Sequence, residues 1–273
     1  MKKRMFTNLI WYYQWIQYII KSICNGEIKN RLPIQYDKKR TLSIVLNGPS
    51  VNWTVKYLDK RETDVMMVND APLTPLFKEL EPKYVCLADP YYNKKIKRNL
   101  VLRDALIKSN NKVTIFMPHM LRKGIFDTKQ LKVRYIFTPD IYLEDFDIPH
   151  RLLEKNLITP FLQNVAIMCI YVGIQLGYKK ISIYGLDADF LKDLTVDKTN
   201  RTIKKDVHYY GIETFCLNED RGLDMTEMIY TTYIMFRILK ELKEYAVKEN
   251  VQIVNMSDIS WIDFFERFKG GEE

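Results

Sequence analysis

Short apolar runs alternate along this chain with longer segments of helical periodicity. The apolar runs predict strands at 41–46, 64–69, 83–88, 113–117, 133–137, 180–184 and 251–254. The intervening patterns predict helices at 51–58, 91–108, 164–177, 224–249 and 259–268. Strands that alternate with helices favour a mainly parallel sheet covered on both faces, so the predicted fold is α/β and Rossmann-like.

The first predicted strand runs directly into the turn Asn47-Gly48-Pro49-Ser50. Gly48 lets the backbone approach a ligand closely, and Pro49 fixes φ and removes a hydrogen-bond donor. Ser50 is placed to cap the helix that follows, so free backbone amides are expected to face a ligand above the sheet. The turn therefore predicts a phosphate or nucleotide site. The alternative is an ordinary turn, since neither a complete G-x-G-x-x-G nor a Walker A pattern is present.

Polar residues follow several of the predicted strands. They are Asn47, Asn69, Asp89, His119 and Asp187. Because ligands of parallel sheets bind outside the carboxyl ends of the strands, these residues predict a single lined cleft. The polar segment 192–205 shows no periodicity and is predicted to be a loop or lid.

The composition indicates a globular chain of 273 residues, 47% of them hydrophobic, with a net charge of +8. The positive charge suits an anionic ligand or a membrane surface. The basic residues are spread along the chain and form no nucleic-acid-binding motif, so nucleic acid is not predicted as a partner. The four cysteines form no C-x-x-C pair, which disfavours a zinc site and fits a reducing cytoplasm.

Residues 1–40 are predicted to form an N-terminal amphipathic helix and linker, ahead of a domain at 41–273. Residues 1–24 begin with Lys2, Lys3 and Arg4 and continue with apolar and aromatic residues at helical spacing. They lack both the unbroken apolar stretch of a spanning helix and the cleavage site of a signal peptide. One interpretation is a helix that lies on the inner face of the cell membrane. The other is a helix packed on the domain or on another subunit.

Four sequence blocks occur in the order of a known family: LNGPS, VND, MCIYVGIQLGYKKISIYGLD and HYYG. In these blocks, from about Thr41 to Gly211, the chain resembles the bacterial lipooligosaccharide sialyltransferases of glycosyltransferase family 42 and their wider relatives. The resemblance implies a GT-A type domain with a lid, here at about 188–210, and a homo-oligomer. It also implies inverting transfer of sialic acid from CMP-sialic acid to a glycan or glycolipid acceptor, with no metal required.

The resemblance implies roles for particular residues. His208 matches the general base that deprotonates the acceptor, and histidine is the side chain that titrates nearest neutral pH. The alternative is a surface histidine in a loop. The expected nucleotide- and donor-binding residues are Asn47, Gly48, Pro49, Ser50, Asn69, Asp89, Gln163, Asn164, Gly185 and Asp187. The expected phosphate or lid residues are Lys198, Arg201, Lys204, Lys205, Tyr209 and Tyr210.

Two departures from the family pattern leave the donor open. Asp189 stands where the family has a tyrosine that stabilises the leaving phosphate. Leu162, Gln163 and Asn164 stand where the family has an arginine and a serine or threonine. The sequence therefore allows a sialic-acid-like or other ulosonic acid in place of sialic acid itself.

The same region supports a rival hypothesis. Asp187 and Asp189 form a D-x-D directly after a strand, which predicts a Mg²⁺ or Mn²⁺ site. Such a site is typical of metal-dependent nucleotide-sugar transferases, and it also fits phosphosugar or pyrophosphoryl transfer, because relatives with a similar N-G-P-S turn look like archaeal pterin pyrophosphokinases. The alternative is an Asp187 that caps a turn beside a solvated Asp189. A non-catalytic scaffold for glycan assembly is the remaining hypothesis.

Overall fold

The computed structural model describes residues 12–13, 15–17, 19–20, 40–109, 113–136, 138, 150–155 and 158–268. The described residues before 40 are helical, in agreement with the predicted N-terminal helix. Trp15 packs against the core of the domain, whereas Tyr13 is exposed. The remainder of that predicted helix and its linker, including the basic residues 2–4, lies outside the described residues. In the described ranges, no helix combines the length and apolar character that crossing a membrane demands.

The described strands form one sheet of eight and one of three, in the orders β11-β10-β6-β1-β2-β3-β4-β5 and β7-β8-β9. The large sheet contains β1 (Thr41–Val45), β2 (Thr63–Val68), β3 (Tyr84–Cys86), β4 (Thr114–Pro118), β5 (Lys132–Ile136), β6 (Lys180–Tyr184), β10 (Gln252–Asn255) and β11 (Glu266–Arg267). All of its neighbouring pairs are parallel. The small antiparallel sheet contains β7 (Leu194–Val196), β8 (Thr202–His208) and β9 (Gly211–Cys216). The predicted, mainly parallel α/β fold is confirmed.

Helices pack on both faces of the large sheet. They are α1 (Val51–Thr54), α2 (Pro75–Leu80), α3 (Lys97–Lys108), α4 (His150–Glu154), α5 (Val165–Gln175) and α6 (Met225–Lys248). Short 3-10 turns cover Val55–Tyr57, Ala71–Leu73, Pro90–Asn93 and His119–Leu121, and Leu217–Arg221 forms a π-helical turn. One apolar core contains residues of α5 and α6, and the other contains residues of α1, α2 and α3. Because both faces are covered, the central strands are rich in buried apolar residues.

Local sequence signals set the ends of the two longer helices that pack on one face. The Asn164 side chain accepts a hydrogen bond from the Ile167 amide at the start of α5, and Gly177 has φ +84° just beyond its end. At the start of α6, Asp224 and Glu227 form a capping box. The prediction of a helix at 164–177 that is buried nearly all round is confirmed.

The strand order places a topological switch point between β1 and β6. The chain proceeds outward from β1 through β2, β3 and β4 to β5, and then resumes on the other side of β1 with β6 and β10. Crevices at the carboxyl ends of strands flanking such a point are where open α/β sheets bind their ligands. The turn at Asn47–Ser50 after β1 and the segment Gly185–Asp187 after β6 lie on this edge.

A buried carboxylate links several residues at the opposite, amino edge of the sheet, where the strands have their amino ends. Asp64, 9% exposed, accepts hydrogen bonds from Arg40 Nε at 3.1 Å, from Lys83 Nζ at 2.6 Å and from the Tyr178 hydroxyl. The Tyr178 hydroxyl also lies 3.1 Å from the Tyr84 hydroxyl. Burial raises the pKa of Asp64, but the hydrogen bonds from Lys83 and Tyr178 outweigh it and lower the pKa below its usual value.

Two predicted elements are wrong. Segment 192–205 is not a loop, because it forms β7 and most of β8. The alternation of apolar and polar residues that predicts a strand is absent from β8, because Lys204 occupies a buried position. Its ammonium group lies over the Phe190 and Phe215 rings. Segment 259–268 is not a helix: the Arg267 guanidinium donates to the carbonyls of Ser257, Ser260 and Ile262, and residues 266–267 extend the sheet as β11.

Candidate active site

The turn after β1 is locked against the segment after β6. The Gly48 amide donates to the Gly185 carbonyl at 3.1 Å, and the Ser50 amide donates to Asp187 Oδ2 at 3.0 Å. The Ser50 hydroxyl donates to the other oxygen of Asp187. A Cβ atom at position 48 would lie 2.4 Å from the Gly185 carbonyl oxygen and 2.6 Å from Asp187 Oδ2. Gly48 is therefore required by the close approach of two protein segments.

This arrangement corrects the predicted role of Ser50. Its side chain does not cap α1, and α1 is only 4 residues long. The amides of Gly48, Ser50 and Val51 all donate to other protein groups, so they are not free to bind a phosphate. The turn serves to position Asn47, whose side chain lies at its start.

Asp187 is a buried, fully engaged carboxylate. Burial raises its pKa, and the hydrogen bonds from the Ser50 hydroxyl and amide oppose that rise. Asp189, the other acid of the D-x-D, instead lies 3.9 Å from Lys192 Nζ. In the described ranges, no group of three or more His, Cys, Asp or Glu side chains is arranged to hold a metal ion. A metal ion bound through Asp187 would have to share the carboxylate oxygens with the Ser50 amide and hydroxyl.

Asn47 and Asn69 lie at equivalent positions on neighbouring strands. Val45 of β1 is registered with Met67 of β2, and each asparagine follows its strand residue by two positions. The Oδ1 atoms of Asn47 and Asn69 are buried and have no hydrogen-bond partner among the described residues. Asn69 also has φ +52°, in the left-handed region. Buried acceptors without a partner are rare and costly, which is typical of a site completed by a ligand.

The hairpin that joins β8 to β9 brings His208 to the same edge. The Tyr209 amide donates to the Asn47 carbonyl at 3.0 Å, and the Tyr209 hydroxyl lies 3.2 Å from Thr74 Oγ1. The His208 ring stacks on the Tyr210 ring, with centroids 5.1 Å apart and planes at 27°. The structure therefore brings together Asn47, Asn69 and the HYYG block, which are far apart in sequence.

The predicted phosphate-binding cations have different surroundings. Arg201 pairs with Asp197 at 2.9 Å and lies 3.6 Å from Glu219. Lys204 is buried between aromatic rings, and burial lowers its pKa. Lys198 and Lys205 are exposed on the small sheet.

Three other predicted donor-binding residues have different contacts. Asp89 Oδ1 accepts from the Tyr91 amide at 2.7 Å, so this side chain caps the turn after β3. Asn164 caps α5, and Gln163 precedes it in a half-buried position. These contacts give Asp89 and Asn164 structural roles, and their part in donor binding stays a prediction.

Sequence reasoning missed an ion pair at this edge. Asp70, which follows Asn69, is 8% exposed, and its Oδ2 accepts from Arg98 Nη2 at 2.6 Å. The other guanidinium nitrogen of Arg98 lies 3.8 Å from Glu213 on β9, so Arg98 links β2 to the small sheet. The position of Asp70 after a strand was a signal that could have been used. Nothing in the sequence pattern around Arg98 marked it.

No protein-family model and no curated protein sequence matches this chain. Its structure is similar to that of a MAf glycosyltransferase from Magnetospirillum magneticum AMB-1, with 12% identity and a TM-score of 0.48 over 88% of this chain. The chain spans only 35% of that protein's length.

Two further similar structures are sialyltransferases of Campylobacter jejuni, the kind of protein that the sequence blocks resemble. CstII, solved in complex with the substrate analogue cytidine-5'-monophosphate, is 15% identical with a TM-score of 0.48, over 86% of each chain. The monofunctional alpha-2,3-sialyltransferase Cst-I is 18% identical with a TM-score of 0.48, over 87% of this chain and 82% of its own. Similarities of this size assign neither an activity nor a residue role to this chain.

Proposed function

We propose that this protein is an inverting glycosyltransferase that uses a CMP-activated acidic sugar, sialic-acid-like or another ulosonic acid, to build a bacterial surface glycan. The observation that carries the proposal is the hydrogen bond between the Tyr209 amide and the Asn47 carbonyl. It holds Tyr209, the neighbour of His208, against the backbone of Asn47, whose buried Oδ1 has no hydrogen-bond partner among the described residues. The candidate proton acceptor His208 is thus in the block that contacts Asn47, at the edge where a ligand would bind. Group transfer to a hydroxyl requires a base next to the bound substrate.

The proposed reaction is a single displacement. The oxygen of an acceptor hydroxyl attacks the anomeric carbon of the donor from the face opposite CMP. The bond between that carbon and the phosphate oxygen breaks, and CMP leaves with the electron pair. His208 takes the proton of the acceptor hydroxyl, and stacking on Tyr210 fixes the plane of its ring.

We propose that the charge of the departing CMP is offset by cations of the small sheet and not by a metal ion. Lys198 and Lys205 are exposed and suit this role, whereas Arg201 and Lys204 are held by other contacts. Asp187 is less suited to a metal ion because, among the described residues, it belongs to no group of three or more His, Cys, Asp or Glu side chains, and both of its oxygens already accept hydrogen bonds from Ser50. The acceptor is proposed to be a glycan or glycolipid, reached from the cytoplasmic face of the membrane by a homo-oligomer.

The donor class is tested by a thermal-shift screen of CMP, CDP, UDP and GDP, each with and without Mn²⁺. We expect CMP to raise the melting temperature without Mn²⁺. Stabilisation only by a diphosphate together with Mn²⁺ would favour the D-x-D hypothesis instead. If no nucleotide shifts the melting temperature, the transferase proposal is wrong and the scaffold hypothesis gains support.

The catalytic base is tested with His208→Ala, measuring CMP release from CMP-sialic acid and from other CMP-activated ulosonic acids. General-base catalysis predicts a loss of roughly 10²- to 10⁴-fold in kcat at neutral pH, with CMP binding preserved. His150→Ala is the matched control, because His150 contacts Tyr245 in the core on one face of the sheet. Full activity in His208→Ala would refute the proposed mechanism.

A further inference from the structure

Asp70 lacks an ordinary structural role for a residue at the start of a turn. It precedes the 3-10 turn Ala71–Leu73, but its side chain does not cap that turn. The hydrogen bond that closes the turn joins the Leu73 amide to the backbone carbonyl of Asp70. The carboxylate is therefore not needed to form the turn.

Only half of this carboxylate is satisfied within the protein. Oδ2 accepts from Arg98 at 2.6 Å, whereas Oδ1 is buried and has no hydrogen-bond partner among the described residues. The residue is 8% exposed, so bulk water does not solvate that oxygen freely. An ionised carboxylate in such a place needs a second hydrogen-bond donor, and the described residues supply none.

The charged groups around Asp70 also indicate that the missing hydrogen-bond donor is an uncharged group of the ligand. Tyr92 and Tyr210 lie near it, and burial followed by the charge of Asp70 raises the pKa of both phenols. Arg98 supplies one positive charge, which Asp70 shares with Glu213. A phosphate or carboxylate of the ligand would meet the negative charge of Asp70 here, whereas a hydroxyl would meet an acceptor.

The position of Asp70 in the fold identifies that hydroxyl. Asp70 follows the second strand of a doubly wound parallel sheet, roughly 20 residues after the glycine turn of the first strand. In the dinucleotide-binding sheets of this topology, an acidic side chain at that place accepts a hydrogen bond from a ribose hydroxyl of the bound nucleotide, and the same geometry is available here. The unpartnered oxygens of Asn47 and Asn69 lie at the same edge and complete a surface of acceptors.

We propose that Asp70 recognises the ribose of the nucleotide by accepting a hydrogen bond from the 2′-hydroxyl. Arg98 is the positioning residue that orients the Asp70 carboxylate. This assignment rests on the proposed nucleotide-binding function of the edge. It adds that the protein discriminates ribonucleotides from 2′-deoxyribonucleotides.

The experiment compares dissociation constants for CMP and 2′-deoxy-CMP, and for the corresponding uridine, guanosine and adenosine pairs, measured by calorimetry on the full chain. A hydrogen bond to a charged acceptor predicts that the ribonucleotide binds roughly 10- to 100-fold more tightly than its 2′-deoxy analogue. In Asp70→Ala this ratio is expected to fall to about 2-fold or less. If Asp70→Ala folds poorly, Asp70→Asn is measured in its place. Asp70→Asn keeps the shape of the side chain and removes its charge, so we expect a ratio between that of the wild type and about 2-fold.

Asp104→Ala is the matched control, because Asp104 also pairs with an arginine, Arg103, but on the exposed surface of α3. It is expected to leave the ratio unchanged. Equal binding of CMP and 2′-deoxy-CMP by the wild type, or a ratio that persists in both Asp70 variants, overturns the assignment.

The outcomes for the two proposals are separable. CMP binding and turnover without ribose discrimination would leave the transferase standing and remove the role of Asp70. Ribose discrimination with a nucleotide other than CMP would keep Asp70 and change the donor. Absence of binding by every ribonucleotide overturns both.

Discussion

The two edges of the large sheet differ in their buried polar groups, although each contains a hydrogen-bonded carboxylate, Asp64 at the amino edge and Asp187 at the carboxyl edge. At the amino edge, Asp64 accepts hydrogen bonds from Arg40, Lys83 and Tyr178. At the carboxyl edge, buried oxygens of Asn47, Asn69 and Asp70 have no partner among the described residues. An unsatisfied buried group costs roughly 1–3 kcal/mol, so the carboxyl edge lowers stability until a ligand completes it. The difference indicates that one edge secures the fold and the other is built for binding.

The largest expected effect is at the amino edge. Asp64→Ala leaves Lys83, Arg40 and the Tyr178 hydroxyl without their shared acceptor. We expect the free energy of unfolding to fall by roughly 2–4 kcal/mol, because several hydrogen bonds to a charged group are lost while Arg40 and Lys83 remain partly solvated. Urea denaturation measures the loss, and CMP affinity of the remaining folded protein should stay within about 2-fold.

The pH dependence of stability checks the same edge. Because the pKa of Asp64 is lowered on folding, its contribution is fully present above the unfolded value of about 4 and is lost as pH falls through the folded pKa. The wild type should therefore lose stability below about pH 4 more steeply than Asp64→Ala. Parallel acid profiles for the two proteins would show that Asp64 is not a stabilising group.

An intermediate effect is expected where β1 and β6 meet. In Gly48→Ala, the new Cβ would lie 2.4 Å from the Gly185 carbonyl oxygen, and backbone atoms cannot move aside cheaply. We expect a loss of about 1–3 kcal/mol in unfolding free energy, measured by urea denaturation, together with weaker CMP binding because Asn47 shifts. Gly48 is not among the glycines with positive φ, so the expected cost comes from packing and not from backbone strain. A Gly48→Ala variant as stable as the wild type would mean that packing at Gly48 contributes nothing.

The smallest effect on stability is expected at the carboxyl edge. Asn69→Gly removes an unpartnered buried oxygen and suits the observed φ of +52°. We expect the unfolding free energy to stay within about 1 kcal/mol of the wild type, whereas CMP affinity falls roughly 10-fold. A variant that binds CMP normally but unfolds easily would contradict the division between the two edges.

The periodicity of the sequence predicted every strand of the large sheet except β11, because most of these strands are buried on both faces. The strand at Lys180–Tyr184 has the predicted bounds, and the other predicted strands of this sheet differ by one or two residues at their ends. The small sheet was missed because its central strand, β8, has consecutive charged residues that fall on both of its faces, with Lys204 buried through its aromatic contacts. A buried lysine carries no periodic signal.

The site was predicted less completely than the fold. Asn47, Asn69 and His208 were identified, and the structure places Asn47, Asn69 and the HYYG block at one edge. The contacts of Ser50 and Asp187 were not foreseen, because they join segments that are distant in sequence. Arg98 was missed for the same reason: its partners Asp70 and Glu213 come from separate elements.

The bond between Ser50 and Asp187 spans 137 positions of the chain. A ribosome must therefore have released most of the protein before the turn after β1 can adopt its final conformation. Until then, the first five strands have to persist without the neighbour that closes the central strand, a situation in which nascent parallel sheets are prone to aggregate. Placing the first strand at the centre of the sheet therefore delays completion of the binding edge until most of the chain has been made.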